Sequence, residues 1–346
     1  QTLGSQKWTA VQHALLRTMP HIVPFSDRVD YFSSLLAEDR RRSCGDAGQA
    51  LKLGMRIRRG HLFEDVGAQL QMSVQHHPDL LQDGRLYRMK WHIQFVDGVT
   101  GKEEAGIDAG GVFKEFMEFV MREAFDPNLG LFVPVRQQDD ASGAAQLVER
   151  VLHPNPHARH LFHDDAGYLE HYRLVGLLVG KAVYEGVVLN VELAPSFLNA
   201  ILRRGNSLDD FKLMDPQQFH SLQLLRDMDA IEDAELYFSV DEDVFGGTVT
   251  TVDLIPDGRH VKVTNDNVVR YLHLLAHYKL VRRNHEETQR FAEGLFLILP
   301  KAPLLSMFHH QELQQLISGR HGLRLDVQDL KANCRVVGGG LDAGSR

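Results

Sequence analysis

Cysteine is scarce in this chain of 346 residues, because Cys44 and Cys334 are its two examples. Two cysteines so far apart in sequence offer no disulfide framework and no Cys-x-x-Cys metal spacing. Such cysteine usage is typical of a reducing compartment, so we expect an intracellular, cytoplasmic protein.

The 19 histidines lack the cysteine or carboxylate partners and the helical His-Glu-x-x-His spacing of a strong zinc site. The sequence therefore predicts no bound metal.

Long apolar runs and an excess of positive charge are also absent. The most apolar stretch, residues 174–180, is far shorter than the about 20 residues of a membrane-spanning helix. Lys and Arg number 38 against 46 Asp and Glu, a formal net charge of −8, which argues against nucleic acid or an anionic membrane as partner. The first residues lack the basic start and apolar core of a signal peptide. Since no initiator methionine precedes them, we expect a fragment.

Motifs of cofactor binding and nucleophilic catalysis are likewise missing. The stretch GIDAGGVFKEF places glycines before a helical pattern, where free N–H groups can hold a phosphate. It lacks the Gly-Lys-Ser/Thr of a P-loop and the Gly-x-Gly-x-x-Gly spacing, so no cofactor is predicted. We interpret Asp108 as a helix cap and Gly110 and Gly111 as close-packing positions. The alternative, a phosphate-binding enzyme, would be recognised by nucleotide binding.

The two cysteines remain as candidate nucleophiles. A catalytic thiol needs its thiolate favoured by a histidine, a cation or a helix N-terminus. Arg40, Arg41 and Arg42 precede Cys44, and Arg335 follows Cys334, but neighbours in sequence do not fix geometry. No Gly-x-Ser-x-Gly elbow organises the serines. Isolated motifs therefore identify no active site.

Hydrophobic periodicity predicts a mainly helical α+β fold. The stretch RMKWHIQFVDG alternates apolar and polar residues, which predicts a half-buried strand ending at Gly98. GVFKEFMEFV predicts a helix with one apolar stripe, and YLEHYRLVGLLVGKAVYEGVVL a largely buried helix. TVTTVDLIPDGRHVKVT predicts a hairpin that turns at Pro256 to Gly258. The sequence NDN at 265–267 predicts the cap of a further helix, and Gly319 predicts a helix end. The apolar face of that further helix is Val268, Tyr271, Leu272, Leu275 and Tyr278.

Several longer stretches occur in a characteristic order. They are MPHIVPFSDRVDYF, RIRRGHLFEDVGAQL, EEAGIDAGGVFKEFMEFV, GLLVGKAVYEG, FKLMDPQQFHSL, VTNDNVVRYLHLLAHYKL and FHHQELQQLISG. In this order and spacing they resemble the N-terminal lobe of a HECT-domain ubiquitin ligase over nearly the whole chain. GVFKEF, GKAVYEG and YLHLLAHYKL look most similar to the branch called ubiquitin-protein ligase three B.

The resemblance implies a two-lobe enzyme. The N-terminal lobe docks a ubiquitin-conjugating enzyme charged with ubiquitin, and a cysteine of the C-terminal lobe accepts ubiquitin as a thioester before passing it to a lysine of a protein substrate. That cysteine lies in a Leu-Pro-x-x-x-Thr-Cys-Phe-like stretch, which matches neither RSCGD around Cys44 nor KANCRVV around Cys334. We therefore expect Cys334 to be a hinge residue, the C-terminal lobe to be missing, and this chain alone to be inactive. The alternative is a non-catalytic, truncated protein that sequesters conjugating enzymes or scaffolds a complex.

The resemblance also implies a domain organisation. We expect a helical lead-in at 1–55, a large subdomain at 56–216 and a small hairpin-containing subdomain at 217–300 that docks the conjugating enzyme. Residues 301–319 would return to the large subdomain, and 320–346 would form the hinge and truncated end.

Family contacts with the conjugating enzyme fall in the small subdomain. Conjugating enzymes present apolar side chains on short loops, so their partner needs an apolar groove with aromatic anchors. The alternative is that several of the expected residues form the core of the subdomain instead. The expected contacts are Leu222, Leu225, Met228, Leu236, Phe238, Tyr271 and Leu275.

Overall fold

The computed structural model of this chain describes residues 14–16, 18–44, 52–76, 84–98, 100–104, 111–135, 151–162, 167–244, 248–299 and 305–319. These residues are mainly helical with short strands, so the predicted α+β class is confirmed. The strands are β1 (Lys52–Arg58), β2 (Lys90–Val96), β3 (Phe132–Pro134), β4 (Val151–Pro154), β5 (Glu192–Leu193), β6 (Ser239–Val244) and β7 (Thr248–Asp253). The helices are α1 (Phe25–Cys44), α2 (Leu62–His76), α3 (Arg85–Arg88), α4 (Gly111–Ala124), α5 (Ala158–Leu161), α6 (Gly167–Glu185), α7 (Pro195–Ile201), α8 (Leu208–Met214), α9 (Pro216–Arg226), α10 (Val268–His277), α11 (His285–Ile298) and α12 (His310–Ser318).

The first sheet pairs β1 with β2 in parallel, with Lys52 opposite Lys90 and Arg58 opposite Val96. Parallel neighbours need a crossover, and α2 supplies it between the two strands. The predicted alternation of β2 is confirmed, because Trp91, Ile93 and Phe95 are buried while Lys90 and His92 are exposed.

The centre of the fold is the contact between α6 and α11. Its close approach depends on glycine, because a Cβ added at Gly176 would lie 1.9 Å from the carbonyl oxygen of Phe291. A Cβ added at Gly294 would lie 1.8 Å from the carbonyl oxygen of Arg173. The prediction that α6 is largely buried is confirmed, since every residue from Val175 to Tyr184 is buried.

The buried apolar residues form two separate cores. The large core contains residues of α1–α7, α11 and α12 together with β1–β5. The small core lies between Leu208 and Val281 and is built mainly from α8, α9, α10 and the β6–β7 hairpin region. The limits of the predicted small subdomain, residues 217–300, stay a prediction. Within that range, α11 packs on α6 in the large core, where their glycines allow close approach.

The hairpin of the small core differs from its prediction. β6 pairs antiparallel with β7, with Ser239 opposite Asp253, so the chain turns between Val244 and Thr248. The predicted turn at Pro256 to Gly258 is therefore wrong as a hairpin, because β7 takes the preceding strand as its partner. Gly258 instead opens a short 3-10 turn, where an added Cβ would lie 2.1 Å from the carbonyl oxygen of Phe238.

The ends of the last helices give a mixed outcome. The predicted cap position of α10 is confirmed, since Asn267 precedes its first residue, but the Asn267 side chain accepts the N–H of Thr264 at 2.8 Å instead of bonding to the helix. A π-helical turn, Tyr278–Arg282, then continues α10. The predicted helix end at Gly319 is confirmed, since α12 stops there and Gly319 has a φ of 75°.

None of the helices in the described ranges is long and apolar enough to cross a membrane.

Candidate functional site

Local sequence signals fix the two helices that lead into the small core. Ser207 and Asp210 form a reciprocal capping box at the start of α8. Asp215 then caps α9 by accepting the N–H of Gln218 at 2.8 Å, and Pro216 occupies the first helical turn. The segment that leads to β6 follows the C-terminal end of α9.

Four of the seven predicted contact residues lie inside the small core. Leu222, Phe238, Tyr271 and Leu275 are each at most 5% exposed. The rings of Phe238 and Tyr271 meet edge to face at 5.6 Å, and burial raises the pKa of the Tyr271 hydroxyl. These four side chains therefore present little surface to a partner, and their role as contacts stays a prediction.

The other three predicted residues lie at the edge of this core or outside it. Leu225 and Leu236 are half-buried and pack against the core, while Met228 is 40% exposed. Leu225 and Leu236 flank an acidic segment, residues 227–235, that connects α9 to the strand region, and Met228 lies within it. We name Leu224, Leu225, Met228, Leu236 and Tyr237 the docking surface.

The sequence prediction did not include Leu224 and Tyr237, although the residues around each already indicate that both side chains are exposed. Phe219 and Leu222 face inward one helical turn apart on α9, which leaves Leu224 58% exposed. Leu236 and Phe238 share the inward side of an extended segment, which leaves Tyr237 41% exposed between them.

Exposed apolar side chains are concentrated in residues 208–281, the part of the chain that forms the small core. Of the twelve large apolar residues that are exposed in the described ranges, seven lie between residues 208 and 281. Contiguous exposed apolar surface indicates an interaction site more often than isolated residues do. The seven are Leu213, Leu224, Met228, Tyr237, Val249, Val261 and Val269.

Hydrogen bonds hold the acidic segment beside the core. The Asn265 side chain accepts the N–H of Ile231 at 3.2 Å, and Glu232 accepts the N–H of Asn265 at 3.1 Å. Ile231 is fully buried and anchors the segment. At its start, the hydrogen bond from Arg226 lowers the pKa of Asp227.

The described residues contain no catalytic constellation that we recognise. They include no group of three or more His, Cys, Asp or Glu side chains that could hold a metal ion. A cleft of about 1150 Å³ lies between α4 and residues 186–192 of the large core, but no thiol, hydroxyl or imidazole lines it. The side chain of Cys44, the GIDAGG residues 106–110, and the hinge with Cys334 lie outside the described residues.

Comparison with known proteins shows which protein family the chain belongs to. The model of the family HECT-domain (ubiquitin-transferase) matches residues 118–345, which is most of the chain. The chain therefore belongs to the HECT-domain family, and the resemblance seen in its sequence is confirmed.

Individual proteins similar to this chain are named ubiquitin ligases. The chain is 34% identical to E3 ubiquitin-protein ligase UPL6 of Arabidopsis thaliana, over 94% of this chain and 29% of that protein. It is 32% identical to Ubiquitin-protein ligase E3B of Homo sapiens, with the same two coverages. It is 32% identical to E3 ubiquitin-protein ligase HUL5 of Saccharomyces cerevisiae, over 94% of this chain and 34% of that protein. The chain thus spans about a third or less of the length of these relatives.

Proposed function

We propose that this chain is the part of a HECT-type ubiquitin ligase that recruits the ubiquitin-conjugating enzyme. The observation that carries the proposal is the family match together with the large apolar side chains that residues 208–281 leave exposed. The docking surface would hold the apolar loops of a conjugating enzyme charged with ubiquitin. Because its five residues are apolar or aromatic, binding would gain from their removal from water.

The chemistry of the complete ligase requires a thiolate in addition to this surface. That thiolate attacks the thioester carbonyl of the charged conjugating enzyme, forms a new thioester, and releases the thiolate of the conjugating enzyme. A substrate lysine amine then attacks the new thioester and leaves ubiquitin in an amide bond. Neither Cys44 nor Cys334 stands in the family's cysteine stretch, so we expect these 346 residues alone to bind without transferring ubiquitin.

The docking surface is tested by truncating its exposed side chains. Leu224→Ala and Met228→Ala should each weaken binding of a charged conjugating enzyme about tenfold, since interface hot spots contribute about 1–2 kcal/mol each. The matched control is Val269→Ala, because Val269 is 54% exposed on α10 but lies outside the docking surface. Titration calorimetry measures the affinity, and thermal melting checks that each variant folds. Equal affinities for all three variants would contradict the assignment of this surface.

The role of the cysteines is tested with a ubiquitin transfer assay. Mixing the chain with a charged conjugating enzyme and running a non-reducing gel should reveal binding but no reducible ubiquitin adduct on the chain. An adduct that disappears in Cys334→Ala would overturn the hinge interpretation and make Cys334 a nucleophile. Fusing the chain to the part of a full-length relative that contains the family's cysteine stretch should enable transfer. If transfer stays absent while binding persists, the alternative of a sequestering or scaffolding protein gains support.

A further inference from the structure

The excess negative charge of the chain is concentrated in residues 208–281, the part of the chain that forms the small core. Between residues 208 and 281, Asp and Glu number 14 whereas Lys and Arg number 6, a formal charge of −8. The whole chain also has a formal charge of −8, so the remaining residues carry no net charge. The large core and its flanks are therefore electrically balanced, while the small core is not.

The acidic segment carries much of this unbalanced charge. Asp227 is paired with Arg226, and Glu232 is held by Asn265. Asp229, Asp233 and Glu235 are exposed, and none of the three forms an ion pair within the described residues. These three carboxylates are free to act on an approaching molecule.

The segment is fixed in position rather than attached at its ends alone. Ile231 is fully buried in the small core, and the Asn265 side chain also donates to the carbonyl oxygen of Asp229. Glu235 ends the 3-10 turn Ile231–Ala234 with a φ of 49°, which redirects the chain into Leu236 and Tyr237. Along the chain, the free carboxylates therefore stand between Met228 and Leu236, two members of the docking surface.

We propose that the docking surface selects conjugating enzymes whose apolar loops are surrounded by lysine and arginine side chains. This inference rests on the proposed function and names the kind of conjugating enzyme that fits. Charges at the rim of an interface accelerate association with a partner of opposite sign and repel partners of like sign. The apolar side chains supply contact area, and Asp229, Asp233 and Glu235 supply the charge selection.

Charge complementarity also argues against other occupants of this surface. A second copy of the chain would bring a small core with the same formal charge of −8, so the two would repel each other. Nucleic acid and anionic membranes would be repelled for the same reason. A protein that combines an apolar tip with basic neighbours satisfies both properties of the surface.

The test measures association rates between the full chain and a panel of ubiquitin-charged conjugating enzymes at low and high salt. The variant Asp229→Asn/Asp233→Asn keeps side-chain shape while removing two charges. We expect its association rate constant with basic conjugating enzymes to fall at least threefold at low salt, with a smaller salt dependence and an unchanged dissociation rate. The matched control is Asp27→Asn/Asp30→Asn, which removes two exposed charges from α1 and should change nothing.

The outcomes separate this inference from the proposed function. If Leu224→Ala weakens binding while the charge variant keeps its rate and salt dependence, docking stands and charge selection falls. Charge selection also falls if acidic and basic conjugating enzymes associate equally fast. If no conjugating enzyme binds the folded chain, both proposals fall.

Discussion

The two cores of this protein are built by different rules. The large core joins 53 buried apolar residues and is crossed by helices whose glycines touch opposing backbone. The small core joins 14, yet it exposes more large apolar side chains than the rest of the described residues together. A small core has less volume in which to bury its apolar side chains than a large one.

Buried polar groups mark the same division. Every buried polar or charged residue in the described ranges, including Lys181, His153 and Glu287, lies outside residues 208–281. Lys181 is fully buried, where its ammonium pairs with Glu185 at 2.7 Å and donates to the carbonyl oxygen of Met89 at 2.8 Å. Such networks specify one arrangement of the elements around them.

This division suits the proposed function, in which the large core is the scaffold and the small core supports the interaction surface. A scaffold gains from dense packing and satisfied buried charges, because both exclude alternative arrangements. An interaction surface keeps apolar side chains in water until a partner covers them.

Truncation of the Phe238 ring should damage the small core alone. Phe238→Ala removes a side chain that is 1% exposed and should cost about 3–5 kcal/mol of the stability of that core. Hydrogen exchange followed by mass spectrometry should detect faster exchange in α9 and α10 and unchanged exchange in α6 and α11. The exposed neighbour Tyr237→Ala is the control and should alter stability by less than about 0.5 kcal/mol. Faster exchange in both cores would show that the cores unfold as one unit.

Removal of the buried Lys181 ammonium should destabilise the large core and leave the small core unchanged. Lys181→Met leaves the Glu185 carboxylate and the Met89 carbonyl oxygen without their ammonium partner, which should cost about 3 kcal/mol. Chemical denaturation gives the free energy of unfolding, and hydrogen exchange should locate the loss in the large core. Arg122→Met is the control, since its pair with Glu118 is more than 60% exposed on both sides. A loss in Lys181→Met no larger than in this control would remove the buried network from the comparison.

Acid should weaken the large core through His153. Burial lowers the pKa of its imidazole to about 4, below the usual value of about 6.5. Because the unfolded chain then takes up a proton before the folded chain does, stability is present above pH 6.5 and is lost progressively as the pH falls to about 4. The expected loss is about 2 kcal/mol.

The contribution of His153 is measured by urea unfolding between pH 7 and pH 4. His153→Asn should flatten the loss of stability in this range, because asparagine does not titrate. His273→Asn changes an exposed histidine of α10 and should leave the curve as it is. Identical pH profiles in the two variants would count against His153 as the source.

The smallest expected effect concerns the connection between the cores. Glu242 of β6 forms ion pairs with Arg283 and with Lys279, the latter at 3.8 Å. Arg283 also bonds the His157 ring at 3.3 Å on the large-core side, and burial lowers the pKa of Lys279. Glu242→Gln keeps a carbonyl oxygen that can accept from both cations, so it should cost about 1 kcal/mol and make hydrogen exchange in the small core faster than in the large core. Asp241→Asn, on the same strand, is the control, and equal exchange in both variants would exclude Glu242 as the connection.

Local patterns in the sequence were enough for most individual elements. Alternation located β2, apolar stripes located α4 and α10, a continuous apolar stretch located α6, and a glycine located the end of α12, because these signals depend on a few neighbouring residues. The ordered motifs also identified the HECT family, which the family match confirmed. The predicted domain limits and contact residues remain predictions, although burial now separates Leu224 from Phe238 as candidates for contact.

Pairing and packing could not be derived from the sequence. Whether β7 pairs backward with β6 or forward across Pro256 depends on hydrogen bonds between segments, and both choices fit an alternating pattern. Whether α11 belongs to the small or the large core depends on Gly176 and Gly294 meeting opposite backbone. The sequence by itself determined the elements and the family, because local periodicity and motif order are properties of the chain alone. Tertiary structure decided which apolar residues are buried and which remain exposed, because burial depends on what packs against each side chain.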